Sequence, residues 1–180
     1  MNIIRKLALS YSHCTMMRSL EQNFKVHLHA KEKVPNPAKN TMLYAHIPFC
    51  HTFCPYCSFH KYAYDEDLAK AYFQSLRAEL ENVKARGFDF STMVVGGGTT
   101  LINEDELLRT LELCKKLFHI KEISCETDPN HIEPRKLERF KGLIDRLSCG
   151  VQSFDDEILK KVSRYAKFGS GKELQDKLER

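Results

Sequence analysis

Three cysteines fall within eight residues, Cys50-His51-Thr52-Phe53-Cys54-Pro55-Tyr56-Cys57, a C-x3-C-x2-C run. Thiols crowded onto one short loop point to metal binding rather than to a disulfide framework. The total of seven cysteines, at 14, 50, 54, 57, 114, 125 and 149, is odd as well. Two chemistries suit the trio. Each thiolate can hold one iron of a four-iron, four-sulfur cluster, which leaves the fourth iron open to a reactant. Alternatively, the three can hold a structural zinc, with His51 or His60 completing a tetrahedral set. Zinc loops usually begin C-x2-C, so the C-x3-C start favours the cluster. Cys14, Cys114, Cys125 and Cys149 read as small, half-buried thiols, and the cysteine usage as a whole fits a reducing cytoplasm.

Other residues able to bind a ligand stand at the ends of strand-like runs. Gly96-Gly97-Gly98-Thr99 follows the buried run Thr92-Met93-Val94-Val95, and without side chains its backbone can approach a bound molecule closely. No G-K-[ST] follows, which argues against a phosphate loop. Glu126 ends the run 122–126 and can accept hydrogen bonds from a ribose or an ammonium group; taken singly it reads as a solvated strand end. Arg164, on a charged helical segment, reads singly as a surface residue. His46 suits a hydrogen-bonded place within the sheet better than a contact to substrate. His27 and His29 share one face of a short alternating run and read as an exposed pair rather than as ligands.

These residues need elements to position them. The spacing predicts a strand at 42–47 stopped by Pro48, and a helix over 67–86 with Leu68, Tyr72, Leu76, Leu80 and Val83 on its apolar side, closed by Gly87. A strand at 92–95, a helix at 104–118, a strand at 122–126, a short helix at 134–140 and a strand region at 143–151 follow. Helices at 155–162 and 172–178 complete the series. Strand and helix in alternation mean βαβ units and a parallel sheet, whose strand C-termini share the rim where α/β proteins bind ligands. Four βα units are fewer than the eight that a closed barrel of about 250 residues needs, and the chain ends inside a charged helical pattern. The expectation is therefore an N-terminal extension over 1–40, joined through Val34-Pro35-Asn36-Pro37, and a truncated N-terminal part of a barrel over 41–180. At 42% hydrophobic and 29% charged residues the composition is that of an ordinary globular domain. A formal charge of 28 − 24 = +4 makes no case for a nucleic-acid partner. No apolar run approaches the roughly 20 residues of a membrane span, and the N-terminus lacks the apolar stretch of a signal peptide.

Within this frame, Tyr44-x-His46-Ile47-Pro48-Phe49-Cys50-x3-Cys54-x-Tyr56-Cys57 resembles the opening of radical S-adenosylmethionine (SAM) enzymes, in the group around oxygen-independent coproporphyrinogen III oxidase. Three later segments match that group in order: Gly96-Gly97-Gly98-Thr99, Glu126-Thr127-Asp128-Pro129, and Gly150-Val151-Gln152-Ser153-Phe154 with Arg164 downstream. The resemblance covers about residues 42–165. It implies an α/β fold, a partial (β/α) radical SAM barrel with about four βα units of a six-fold open barrel. It implies that Cys50, Cys54 and Cys57 bind a 4Fe-4S cluster and that the open iron is chelated by the amino and carboxylate groups of S-adenosylmethionine. One electron then cleaves the sulfonium bond, giving methionine and a 5′-deoxyadenosyl radical that abstracts hydrogen from substrate. The cofactor contacts it implies are Tyr44, Tyr56, Gly97, Gly98, Thr99, Glu126, Gln152 and Arg164, with no catalytic residue assigned beyond the cluster. A tetrapyrrole substrate or haem, and a flavodoxin- or ferredoxin-type electron donor, are the implied partners.

The sequence departs from that pattern twice. The decarboxylating oxidases carry a fourth cysteine two residues after the third, and here that position is Phe59. An aromatic there is more similar to the haem chaperone branch and to radical methyltransferases that open haem anaerobically. The family's G-G-G-T-P-T reads Gly96-Gly97-Gly98-Thr99-Thr100-Leu101, so a proline is missing while the glycines remain.

Overall fold

The computed structural model describes residues 41–179, all within the second of two units, Met1–Asn36 and Pro37–Arg180. Cys14, His27, His29 and the expected extension at 1–40 lie outside the described residues. In chain order the elements are β1 (Thr41–Ile47), β2 (Phe49–Cys50), β3 (Tyr62–Ala63), α1 (Glu66–Ala85), β4 (Phe90–Gly97), α2 (Glu104–Leu117) and β5 (Glu122–Thr127). There follow α3 (Pro134–Arg139), β6 (Arg146–Cys149), α4 (Asp156–Lys161), α5 (Tyr165–Phe168) and α6 (Gly171–Leu178). Short 3-10 turns at Thr100–Ile102 and Pro129–His131 follow β4 and β5. Among the described residues no helix is long and apolar enough to cross a membrane.

Four strands form one parallel sheet in the order β1-β4-β5-β6, each joined to the next by a helical crossover. Alternation along the strands divides their side chains between two faces. Ala45 and Ile47 of β1, Met93 and Val95 of β4, and Ile123 and Cys125 of β5 are buried. They pack against Ala69, Phe73 and Leu80 of α1 and Leu107, Leu111 and Cys114 of α2. The intervening residues Met42, Tyr44, Glu126 and Ser148 are exposed and His46 is half-buried, so the second face carries polar and aromatic groups and, among the described residues, no helix. Parallel sheets are normally covered on both faces. Among the described residues, this one is covered on one.

The helices start and stop where local chemistry dictates. Asp65 caps α1 by accepting the Leu68 amide at 2.8 Å. At its other end Gly87, at φ +86°, donates to Lys84 O, and Phe88 donates to Val83 O, the paired bonds of a Schellman stop. Asn103 caps α2 through the Glu106 amide at 3.2 Å while its own amide donates to the Tyr64 hydroxyl, also at 3.2 Å. Replacing Asn103 by Ala is expected to lower stability by about 1 kcal/mol, read as a lower urea midpoint with an unchanged slope.

Three departures from the sequence expectation have physical causes. The strand region at 143–151 contracts to Arg146–Cys149, because Gly142 at φ +79° turns the chain and Leu143 donates back to Phe140 O. The strands β2 and β3 span two residues each, too short to leave a periodic signal, and α5 is a single turn. The interval containing 50–63 is therefore not a plain loop. Its ends are tied together by Tyr62 N–H to Pro48 O at 2.6 Å and Tyr64 N–H to Cys50 O at 3.0 Å.

Candidate functional site

The C-terminal ends of β4, β5 and β6 meet the cysteine loop around a cavity of about 400 Å³. Cys50, Cys54 and Cys57 line it together with Tyr56, Gly97, Gly98, Thr99, Glu126, Gln152 and Arg164. Of the residues expected to bind a cofactor, Tyr44 alone is not in that wall. It stands alongside, on the exposed face of β1. The Tyr44 hydroxyl and Glu126 Oε2 come within 3.0 and 2.9 Å of where a side chain on Gly96 would begin. Burial, and then the Glu126 carboxylate, push the Tyr44 hydroxyl pKa up.

The glycine run fits backbone against backbone. Gly98 N–H donates to Ile47 O at 2.8 Å and Thr99 N–H to Phe49 O at 2.7 Å, which ties the end of β4 to the strand that carries Cys50. A methyl group on Gly98 would lie 2.4 Å from Phe49 O and 3.0 Å from Cys50 Sγ. Gly97 combines a φ of +119° with 2.8 Å to Ile47 O. At both positions a side chain has no room.

The three thiols are half-exposed and none is in a disulfide. Among the described residues no group of three or more His, Cys, Asp or Glu side chains closes around a point where one metal ion would sit. A structural zinc needs four ligands closed around one point, whereas a cluster meets each thiolate at a different iron. Burial pushes the Cys50 thiol up, against the pull of the Thr99 hydrogen bond and the Lys167 charge.

Arg164 is buried, at 4% exposure, where its segment alone suggested the surface. Its Nη1 donates to the Tyr56 hydroxyl at 3.0 Å and lies 3.5 Å from Cys54 Sγ, its Nη2 donates to Gly150 O, and its guanidinium stacks over Phe168 at 4.0 Å. Arg164 Nε and Thr127 Oγ1 are buried without hydrogen-bond partners, and both residues line the cavity. Unmet polar groups, a backbone cradle and soft sulfur donors in one cavity fit a polar cofactor on an iron–sulfur cluster. Gln152, just past β6, holds φ at +74°, a conformation that costs a non-glycine residue energy and is concentrated at functional sites.

His46 is engaged at both ring nitrogens. Nε2 donates to His60 O at 2.9 Å, and Nδ1 accepts from the Tyr44 hydroxyl at 3.1 Å. This fits a hydrogen-bonded place in the sheet. The sequence reading missed Asp128 and Lys167. Asp128 Oδ2 accepts from Thr99 Oγ1 at 3.2 Å, and Lys167 donates to Thr52 O at 3.3 Å. The Glu126-Thr127-Asp128-Pro129 segment held a signal for Asp128. Lys167 had none.

The burial pattern sets an order of thiol reactivity. Burial pushes Cys114 up to about 12 and Cys125 up to about 11, so both remain protonated near neutral pH. Iodoacetamide at about pH 8 is expected to alkylate Cys50, Cys54 and Cys57 of the metal-free chain first, and Cys114 and Cys125 only in denaturant. Peptide mapping reads the order; native labelling of Cys114 ahead of the loop would contradict it.

Comparison with known proteins places the chain in a family. The radical SAM superfamily profile matches residues 44–169. The chain is 33% identical over 132 residues to heme chaperone HemW of Bacillus subtilis, covering 69% of this chain and 35% of that protein. It is 35% identical over 136 residues to the oxygen-independent coproporphyrinogen III oxidase of Salmonella typhimurium, covering 71% and 30%. Coproporphyrinogen III oxidase (HemN) from Escherichia coli, described as a radical SAM enzyme, superposes with a TM-score of 0.62 at 32% identity, over 72% of this chain and 32% of that one. The chain thus spans about a third of the length of these relatives.

Proposed function

The chain belongs to the radical SAM superfamily, in the group of coproporphyrinogen oxidase-like and haem chaperone proteins, and from that premise we propose that residues 41–180 are the N-terminal barrel part of an iron–sulfur enzyme of tetrapyrrole chemistry. The fold is a partial radical SAM barrel, and the sheet face that carries no helix among the described residues is the one that would line the interior of such a barrel. When bound, a 4Fe-4S cluster supplies the electron that cleaves S-adenosylmethionine to the 5′-deoxyadenosyl radical.

The residues of the chain bind and orient. Cys50, Cys54 and Cys57 hold the cluster. The Gly97 and Gly98 backbone and the Thr99 hydroxyl receive the methionine end, and the Glu126 carboxylate with the Tyr44 hydroxyl oxygen accepts hydrogen bonds from the ammonium or ribose. Gln152 and Arg164 engage the carboxylate and ribose, while Tyr56 places an aromatic ring beside the last cysteine. The observation that carries this reading is the single cavity shared by the three thiols, the glycine cradle, Glu126 and Arg164. Anaerobic reconstitution is expected to give a brown protein with about four irons per chain, which releases 5′-deoxyadenosine on reduction with S-adenosylmethionine. A colourless protein that takes up neither iron nor sulfide, or one holding a single zinc, would overturn it.

A second reading has an observation of its own. Phe59, 61% exposed, lines the cavity where the oxidases carry a fourth cysteine. It favours a haem carrier that keeps the cluster but hands haem on. Stoichiometric haem binding without porphyrinogen turnover would select this branch. Its setting would be the cytoplasm, where thiols stay reduced.

A further inference from the structure

Lys167 lines the same cavity as the three cysteines, and neither cysteine spacing nor family resemblance gives it a part. Its side chain is only 17% exposed. The ammonium donates to Thr52 O at 3.3 Å, lies 3.8 Å from Asp128 Oδ2 and sits 4.7 Å from the Phe168 ring centre. Its backbone is fixed too, since Lys167 O accepts from Asn130 Nδ2 at 3.1 Å. Asp128 in turn accepts from Thr99 Oγ1 at 3.2 Å, and that hydroxyl stands 3.8 Å from Cys50 Sγ. A continuous polar path therefore leaves the cysteine loop at Thr52, passes through Lys167, Asp128 and Thr99, and returns to Cys50.

We propose that Lys167 is a positioning residue that clamps the cysteine loop onto the end of β5, and that its fixed charge raises the reduction potential of the cluster held there. The second half rests on the cluster reading above; the first does not. Reduction adds one electron from an external reductant to a centre ligated by thiolates, and a nearby cation in a partly buried site stabilises the more negative state. Thr52 lies between the first and second ligands, so holding its carbonyl limits the motion of both.

Three chains test it: wild type, Lys167→Met, which keeps an apolar stem against Phe168, and Lys167→Arg, which keeps the charge. In the metal-free chains, amide exchange of residues 51–57 is expected to be roughly tenfold faster in Lys167→Met, the equivalent of losing one charge-assisted hydrogen bond, and near wild type in Lys167→Arg. In the reconstituted chains, the midpoint potential followed by the reduced-cluster resonance is expected to shift negative in Lys167→Met and to return in Lys167→Arg. Unchanged loop exchange in Lys167→Met would overturn the clamp. An unchanged potential, or an arginine variant that behaves like methionine, would overturn the charge effect. If wild type itself takes up no cluster, the cluster reading fails and the exchange arm still decides the clamp.

Discussion

A Cys54→Ala chain is expected to emerge from anaerobic reconstitution without the broad visible absorbance of an iron–sulfur cluster and with iron near background. Two thiolates from a loop hold a four-iron cube poorly, because the third contact fixes the orientation of the other two. A second consequence needs separating. Arg164 Nη1 lies 3.5 Å from Cys54 Sγ in a buried setting, so deleting the sulfur removes an acceptor from a guanidinium whose Nε is already unpartnered. That loss costs on the order of 1 kcal/mol, since Tyr56 and Gly150 still accept from the group. Cys54→Ser resolves the two effects. It keeps an acceptor beside Arg164 while replacing a soft donor by a hard one, so stability should return towards wild type and absorbance should not. Unchanged absorbance in either variant would remove Cys54 from the ligand set.

The cysteine trio was legible because metal chemistry imposes a spacing within one short segment, and the large elements because burial imposes periods of two and 3.6 residues. Leu107, Leu111 and Cys114 of α2 announce their buried side in the sequence, and all three are buried in the fold. The rim could be read too, since Gly96 and Glu126 sit near the ends of strands of one parallel sheet and Gln152 just past another. What stayed hidden was whatever depends on long-range contact. Arg164 meets Cys54 and Tyr56 across more than a hundred positions of sequence, and Lys167 meets Thr52 likewise. A charged residue on a short helix carries no local mark of the loop that will cover it. The strands β2 and β3 were missed for a related reason, since two residues on each side have no period to detect. Tyr44, placed by motif, has its neighbours explained by register: it pairs with Val94, and His46 with Gly96, so both side chains share with Glu126 the sheet face opposite α1 and α2.

Gly98→Ala should damage the site as thoroughly as losing a cysteine, by a different route. The new methyl group would stand 2.4 Å from Phe49 O, and backbone atoms cannot swing aside as a flexible side chain can. Relief requires β2 to separate from the end of β4, which strains the bonds from Gly98 N–H to Ile47 O and from Thr99 N–H to Phe49 O. The next residue of β2 is Cys50, whose Sγ is itself only 3.0 Å from the added carbon, so the movement displaces the first thiolate. Overpacking of this kind costs about 1–3 kcal/mol, and it falls on the cradle and the sulfur together. The expected result is a lower urea midpoint and iron uptake reduced well below wild type. Gly87→Ala is the control. That glycine also has a special environment, φ +86°, but no atom lies within 4 Å of the added carbon. It should cost about 1 kcal/mol of left-handed strain at the end of α1 and leave iron uptake intact. If Gly98→Ala binds iron like wild type while the two variants lose similar stability, the run of glycines is a turn-forming device, and close backbone approach around the first cysteine is not what holds the site together.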